Sequence, residues 1–431
     1  MDTLPSDMKC GMSLDWSGEQ FPSMNDCSGS LGIIYRIPTE VLSTILLFST
    51  IPSSNDSDDL DIDLMSRTPV FSRKVKSTPF ALSQVCRRWR DIVIDIKAMW
   101  RSIALLNPNE HQLYRLQLWM KRVRDHPLEV TIIFRYRRPP EPYQWHLFQM
   151  ALEPLWENLG KWSTFYFDSP GYVPLVIRRK LRLLAHIESP ALRKAVIHIN
   201  GHSEEVEELW TNLNCVQSLE TLYFHSDHIY HASRQVNPRI KSFQFGQYRE
   251  ISRRMIFQES NPMVRILKPF PNVEELSIDT GLIRRSEDWE AEEGCPPVIL
   301  QHLKSLKIVA WNSVSLFCRR FFTPYLSTLD ITTNDLLDAK EIAHLLQCSG
   351  VNLMELVLRS PLVVDFLTEW IRSDMLKSIS FISLHVLHGQ LFVLEQLLQS
   401  LPDLQKRVSV YEAPYRHNFD LVDTARVTVM V

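Results

Sequence analysis

The sequence predicts an α + α/β chain: a small helical module near the N-terminus, then a long strand–helix array whose parallel strands share one face. Three observations predict it. Apolar residues step at helical spacing through 41–46 and again through 82–96. A six-residue pattern, apolar-x-x-apolar-x-apolar, recurs nine times between 162 and 381. A helical stretch at 338–347 falls between two of its copies, and another at 388–401 follows the last. Alternation at a period of about 27 residues stacks the strands side by side and puts the helices on the opposite face, a curved solenoid.

Composition narrows the function classes. The chain has 431 residues, 45% hydrophobic and 23% charged, as expected of a folded protein of two or three domains or one repeat array. Forty-seven basic side chains against 50 acidic give a net charge of −3, which offers nucleic acid no basic field. Only 12 glycines are present, so phosphate-cradling loops lose weight. The 7 cysteines are scattered with no CxxC pair, which argues against a zinc module or disulfide framework and for a reducing compartment. The longest apolar run, 41–51, is half a membrane span. Residues 1–30 are rich in Ser, Gly, Met and Asp, read as a flexible tail, and carry no export signal. A cytoplasmic or nuclear protein with no membrane partner is expected.

The first ordered module spans 31–106. IPTEVLSTIL places Val41, Leu42, Ile45 and Leu46 on a helix, with Pro38 where a first turn tolerates proline. FALSQVCRRWRDIVID places Leu82, Val85, Trp89, Ile92 and Ile96 on one stripe of a second helix. MWRSIAL at 99–105 follows as an irregular-to-extended segment. A module this small is marginal alone and needs a partner for its apolar surface. The insert at 52–78 carries five aspartates between 56 and 63, then four bases. It reads as a solvated loop, since Leu64 and Val70 stand where a calcium loop needs Gly and Glu.

The combination of Ile37-Pro38, Glu40-Val41-Leu42, Ile45, Leu82, Val85-Cys86, Trp89-Arg90, Ile92 and Trp100 resembles the F-box, in the version found in large families of mushroom-type fungi. The chain departs from it in the long insert and in having Lys97-Ala98-Met99 where a proline usually precedes the tryptophan. The resemblance covers about 35–105. It implies docking on a Skp-family adaptor, and through it on a cullin–RING ubiquitin ligase, by Ile37, Pro38, Val41, Leu42, Ile45, Leu46, Leu82, Val85, Cys86, Trp89, Ile92 and Trp100.

Residues 107–431 carry the array. A helix at 109–125 and a strand at 127–134 precede it. The recurring pattern is the strand signature of a leucine-rich repeat. It starts at 162, 192, 219, 240, 273, 303, 326 and 353, and last as Leu376/Ile379/Phe381. The Asn/Cys ladder of regular repeats is mostly missing, so the array should be irregular. Because side chains alternate along a strand, the residues between the apolar ones should face away from the core. Those singled out as a target-binding face are Tyr166, Asp168, His198, Tyr223, His225, Asp279, Lys307, Asp330 and Arg359. Tyr223, Lys307 and Arg359 are expected to be exposed.

No nucleophile elbow, Walker loop, dinucleotide fingerprint or HExxH motif occurs. The spacing His225-x-x-His228-x-x-His231 reads as a polar loop ahead of a metal site, and RYRRPP at 135–140 and EDWEAEE at 287–293 as solvated loops. The expectation is therefore a non-catalytic receptor with no cofactor and no metal. It would hold an unidentified target protein on its repeats for an SCF-type ligase. The alternative is a non-degradative scaffold that uses the F-box only to dock the adaptor.

Overall fold

The computed structural model describes residues 36–50, 78–107, 110–134, 142–169, 175–184, 186–187, 191–199, 203–226, 236–247, 266–280, 298–310, 321–333, 339–348, 353–360, 367, 370, 376, 379–387 and 390–413. The tail, the acidic insert, His228, His231, RYRRPP and EDWEAEE lie outside them. In chain order come α1 (Thr39–Ser49), α2 (Pro79–Ser83), α3 (Arg87–Asp95), a 3-10 turn (Lys97–Trp100), β1 (Ser102–Leu106), α4 (Glu110–Val123) and β2 (Leu128–Ile133). Then follow α5 (Pro142–Trp156), β3 (Trp162–Ser169), α6 (Leu175–Leu184), β4 (Lys194–Ile199), α7 (Ser203–Asn214), β5 (Thr221–Ser226), β6 (Ser242–Gln247) and β7 (Glu275–Thr280). The remainder are β8 (Val298–Ile299), β9 (Ser305–Ala310), β10 (Phe321–Phe322), β11 (Thr328–Thr333), α8 (Ala339–Cys348), β12 (Glu355–Arg359), β13 (Phe381–Leu387), α9 (Leu391–Gln399), α10 (Pro402–Gln405) and β14 (Val408–Ala413).

Twelve of these strands form one open sheet in sequence order from β1 to β14, every pairing parallel, while β8 and β10 pair separately. Parallel neighbours need a crossover, and helices or long connections supply it here. The register matches equivalent apolar residues: Phe165 faces Ala195, which faces Leu222, which faces Phe243. The turns before the strands are joined too. The backbone N–H of Glu220 donates to Arg193 O, Lys241 to Glu220 O, Glu274 to Lys241 O, Lys304 to Glu274 O and Ser327 to Lys304 O, all at 2.7–2.9 Å. Each turn thus satisfies part of its neighbour's backbone.

One hydrophobic core runs from Leu42 to Leu404. Its N-terminal end is an aromatic knot. Trp100 is sealed, donates Nε1–H to Val93 O at 2.8 Å, and meets Phe80 and Trp119 edge-on at 5.3 and 5.1 Å. Trp119 donates its own indole N–H to Trp100 O. The Arg122 guanidinium lies 4.3 Å over the Trp100 ring, so α2, α3, α4 and β1 close on one another.

The structure corrects four expectations. The second helix of the first module is two helices, because Cys86 is extended (φ −158°, ψ 171°) and its Sγ accepts the Trp89 N–H as a cap. That break turns Val85 out to solvent instead of onto the stripe with Leu82 and Ile92. The last strand pattern sits three residues later than expected. Ile379, Ile382 and Leu384 point inward, and Phe381 is 63% exposed. Tyr166 faces the expected side but is buried against Ala104, Leu106 and Ile133, because β1 and β2 are apolar on both faces. Lys307 is exposed as expected, whereas Tyr223 and Arg359 are only half-exposed. Lys194 lies 5.1 Å over the Tyr223 ring, and Arg359 is ion-paired to Asp330 on the neighbouring strand.

Candidate functional site

Two surfaces gather the functional candidates. The first is the outer side of α1 with the α2–α3 turn. Helical periodicity divides α1 into two rows. Leu42 and Leu46 are buried in the core, the latter 1% exposed; Val41, Ile45 and Phe48 stand in solvent, Phe48 at 66%. Val85, 58% exposed, joins the outer row. Leu82, Ile92 and Trp100 are buried, Ile37, Cys86 and Trp89 half-buried, and Pro38 exposed. The outer row is held in place from behind. Arg88 donates to Ile37 O at 2.6 Å, tying the start of α1 to α3, and Arg90 donates to Ser83 O at 3.0 Å, tying α3 to α2. Thr78 caps α2 through the Ala81 N–H. Apolar side chains at i, i+4 and i+7 on a pinned helix form a docking row for another helix. Phe48 escaped the sequence reading; its spacing from Val41 and Ile45 was the available signal.

The second surface is the sheet face away from the helices. Register aligns Asp168, His198, His225, Gly246 and Asp279 across β3 to β7, and Thr332, Arg359, His385 and Tyr411 across β11 to β14. Tyr166 Oη and His198 Nδ1 are 3.3 Å apart, the His198 and His225 rings 4.9 Å, and His225 Nε2 and Gln244 Nε2 3.3 Å. His225 leans over Gly246, where an added Cβ would come within 2.1 Å of the imidazole. Burial, with His198 adding to it, pushes His225 down to about 3. His385 stacks on Tyr411 at 4.8 Å, and burial, reinforced by the Arg359 charge, pushes it down to about 4. Burial raises Asp279 above the usual carboxylate range, and nearby Lys307 opposes the shift.

Burial keeps His225 and His385 neutral at physiological pH, so the face is a polar, ring-lined surface. It suits protein recognition. His385 was missed because the last pattern was read three residues early, and Tyr411 because β14 was not anticipated. Among the described residues no group of three or more His, Cys, Asp or Glu side chains could hold a metal ion. No described helix is long and apolar enough to cross a membrane. Neither a known family model nor a curated protein matches the sequence.

Proposed function

We propose that this chain is the substrate-recognition subunit of an SCF-type ubiquitin ligase. Its α1–α3 module is the F-box that docks a Skp-family adaptor, and the sheet region is an irregular leucine-rich-repeat array that holds a target protein. Other subunits carry out ubiquitin transfer, and this chain supplies no covalent step. The observation that carries the reading is the division of α1 into a sealed row, Leu42 and Leu46, and a solvent row, Val41, Ile45 and Phe48, continued by Val85. The sequential parallel register and the turn-on-turn hydrogen bonds support the repeat part.

The test is co-purification of the full chain with a Skp adaptor, comparing wild type with Ile45→Asp/Phe48→Asp. A desolvated apolar anchor contributes at least about 2 kcal/mol, roughly thirtyfold in affinity. Adaptor capture should be lost while the melting temperature holds. Wild-type yield from the double variant sinks the adaptor assignment. Cullin in the native complex, with turnover of a bound partner, distinguishes a ligase receptor from a non-degradative scaffold.

A further inference from the structure

A third surface lies at the edge of the sheet where the strands begin. Here the turns leading into β6, β7, β9 and β11 line an open groove of about 610 Å³. Lys241, Glu274 and Lys304 line it together with Pro238, His302 and Tyr325. Lys241 and Lys304 both reach the single carboxylate of Glu274, at 3.3 and 2.6 Å. Those two hydrogen-bonded ammonium groups hold Glu274 below the usual carboxylate range. Two cations on one carboxylate leave one positive charge over, and each ammonium has three donors. The Tyr325 ring, 62% exposed, offers an apolar wall beside that charge.

We infer that this groove binds an extended segment of a partner protein, seating an acidic side chain between Lys241 and Lys304 and a neighbouring apolar side chain against Tyr325. The four turns are spaced as adjacent strands, so they span roughly 14 Å, the length of about four extended residues. Glu274 selects the charge. With two ammonium groups around it, Glu274 leaves one net positive charge, which a single carboxylate neutralises. The groove is separate from the outer row of α1 and from the central His198–His225 row, so it is independent of adaptor docking.

The experiment pans a phage-displayed heptapeptide library against the full chain and measures the enriched peptides, fluorescein-labelled, by anisotropy. Enriched sequences should share an acidic residue next to an apolar one. They should bind wild type roughly tenfold more tightly than Lys304→Ala or Tyr325→Ala, and lose affinity as salt rises to about 0.5 M. Glu274→Gln removes the competing carboxylate and should tighten binding severalfold, an outcome a purely structural glutamate would not produce. Melting temperatures of Lys304→Ala and Tyr325→Ala should match wild type, since both side chains are at the surface. Failure to enrich any peptide, enrichment of peptides without an acid, or equal affinity across wild type, Lys304→Ala and Tyr325→Ala overturns the inference. So does a homodimer that Tyr325→Ala dissociates, because the groove would then hold a second copy of the chain.

Discussion

At the scale of single residues, burial decides what each side chain can do, and adjacent residues have opposite fates. Leu42 and Val41 are neighbours, yet one is sealed and the other half in solvent. Leu42→Asp should therefore unfold the module, since an unpaired charge would be buried. Val41→Asp should leave the melting temperature within a degree or two of wild type, read by differential scanning fluorimetry. The His225–Gly246 contact makes a second prediction. Gly246→Ala forces the imidazole off its site between His198 and Gln244 and should cost about 1–3 kcal/mol. Pairing it with His225→Ala should recover most of that loss in a double-mutant cycle. The sign of the pH dependence follows from the same histidine. Unfolded, it takes up its proton near 6.5; folded, it does so only near 3. Between those values the unfolded chain binds more protons, so stability is complete above 6.5 and falls as pH drops through the window. His385, at about 4, acts in the same direction. The melting temperature should decline between pH 6.5 and 4, with a shallower slope for His225→Gln. An unchanged slope would mean that folding does not lower the proton affinity of His225.

At the scale of elements, alternation along each strand converts a recurring pattern into two faces. Leu222, Leu306 and Leu356 are fully buried on three separate strands, β5, β9 and β12, and truncation to Ala should cost about 2–5 kcal/mol each in urea unfolding. Lys307→Ser, one residue along from Leu306, should be nearly neutral. β13 offers a sharper comparison, because its pattern was legible in two frames. Ile382→Ala should be severe and Phe381→Ser mild. The reverse ranking would restore the earlier frame, in which Phe381 belongs to the core. Both frames were open in the sequence because Leu376, Ile379, Ile382 and Leu384 are all apolar and all buried. Two of them belong to the approach to the strand, and only pairing with β12, where Leu356 meets Ile382, separates approach from strand. The break at Cys86 has a similar origin. Its stripe of apolar residues was continuous in sequence, and a cap made by a thiol is a weak signal beside the usual Ser, Thr, Asp or Asn.

At the scale of the whole molecule, the first module and the sheet share one core. Trp100 belongs to the module's motif, yet its carbonyl accepts from Trp119 on α4 and the chain enters β1 two residues later. A chain starting at Ser102 should therefore lose cooperative stability and expose Trp119. Scanning calorimetry would show a broad, low transition in place of a single sharp one; a sharp transition at the wild-type temperature would demonstrate two independent domains. By itself the sequence determined the mixture of helices with a parallel sheet, the inward residues of eight of the nine repeated patterns, and the assignment of His198, His225 and Lys307 to the open face; apart from Ile266 and Leu267, the expected helix between successive strands is missing among the described residues from β5 to β11. Those properties depend on local period, which apolar spacing records directly. Tertiary structure alone decided which residues on that face are sheltered. Tyr166 is buried because β1 and β2 bring Ala104, Leu106 and Ile133 beside it, and Arg359 is half-covered because Asp330 lies on the next strand. It also decided which row of α1 meets solvent and which turns converge as Lys241, Glu274 and Lys304. Such neighbours lie about 30 residues apart in the chain, and period cannot record a contact made only when separate repeats are stacked.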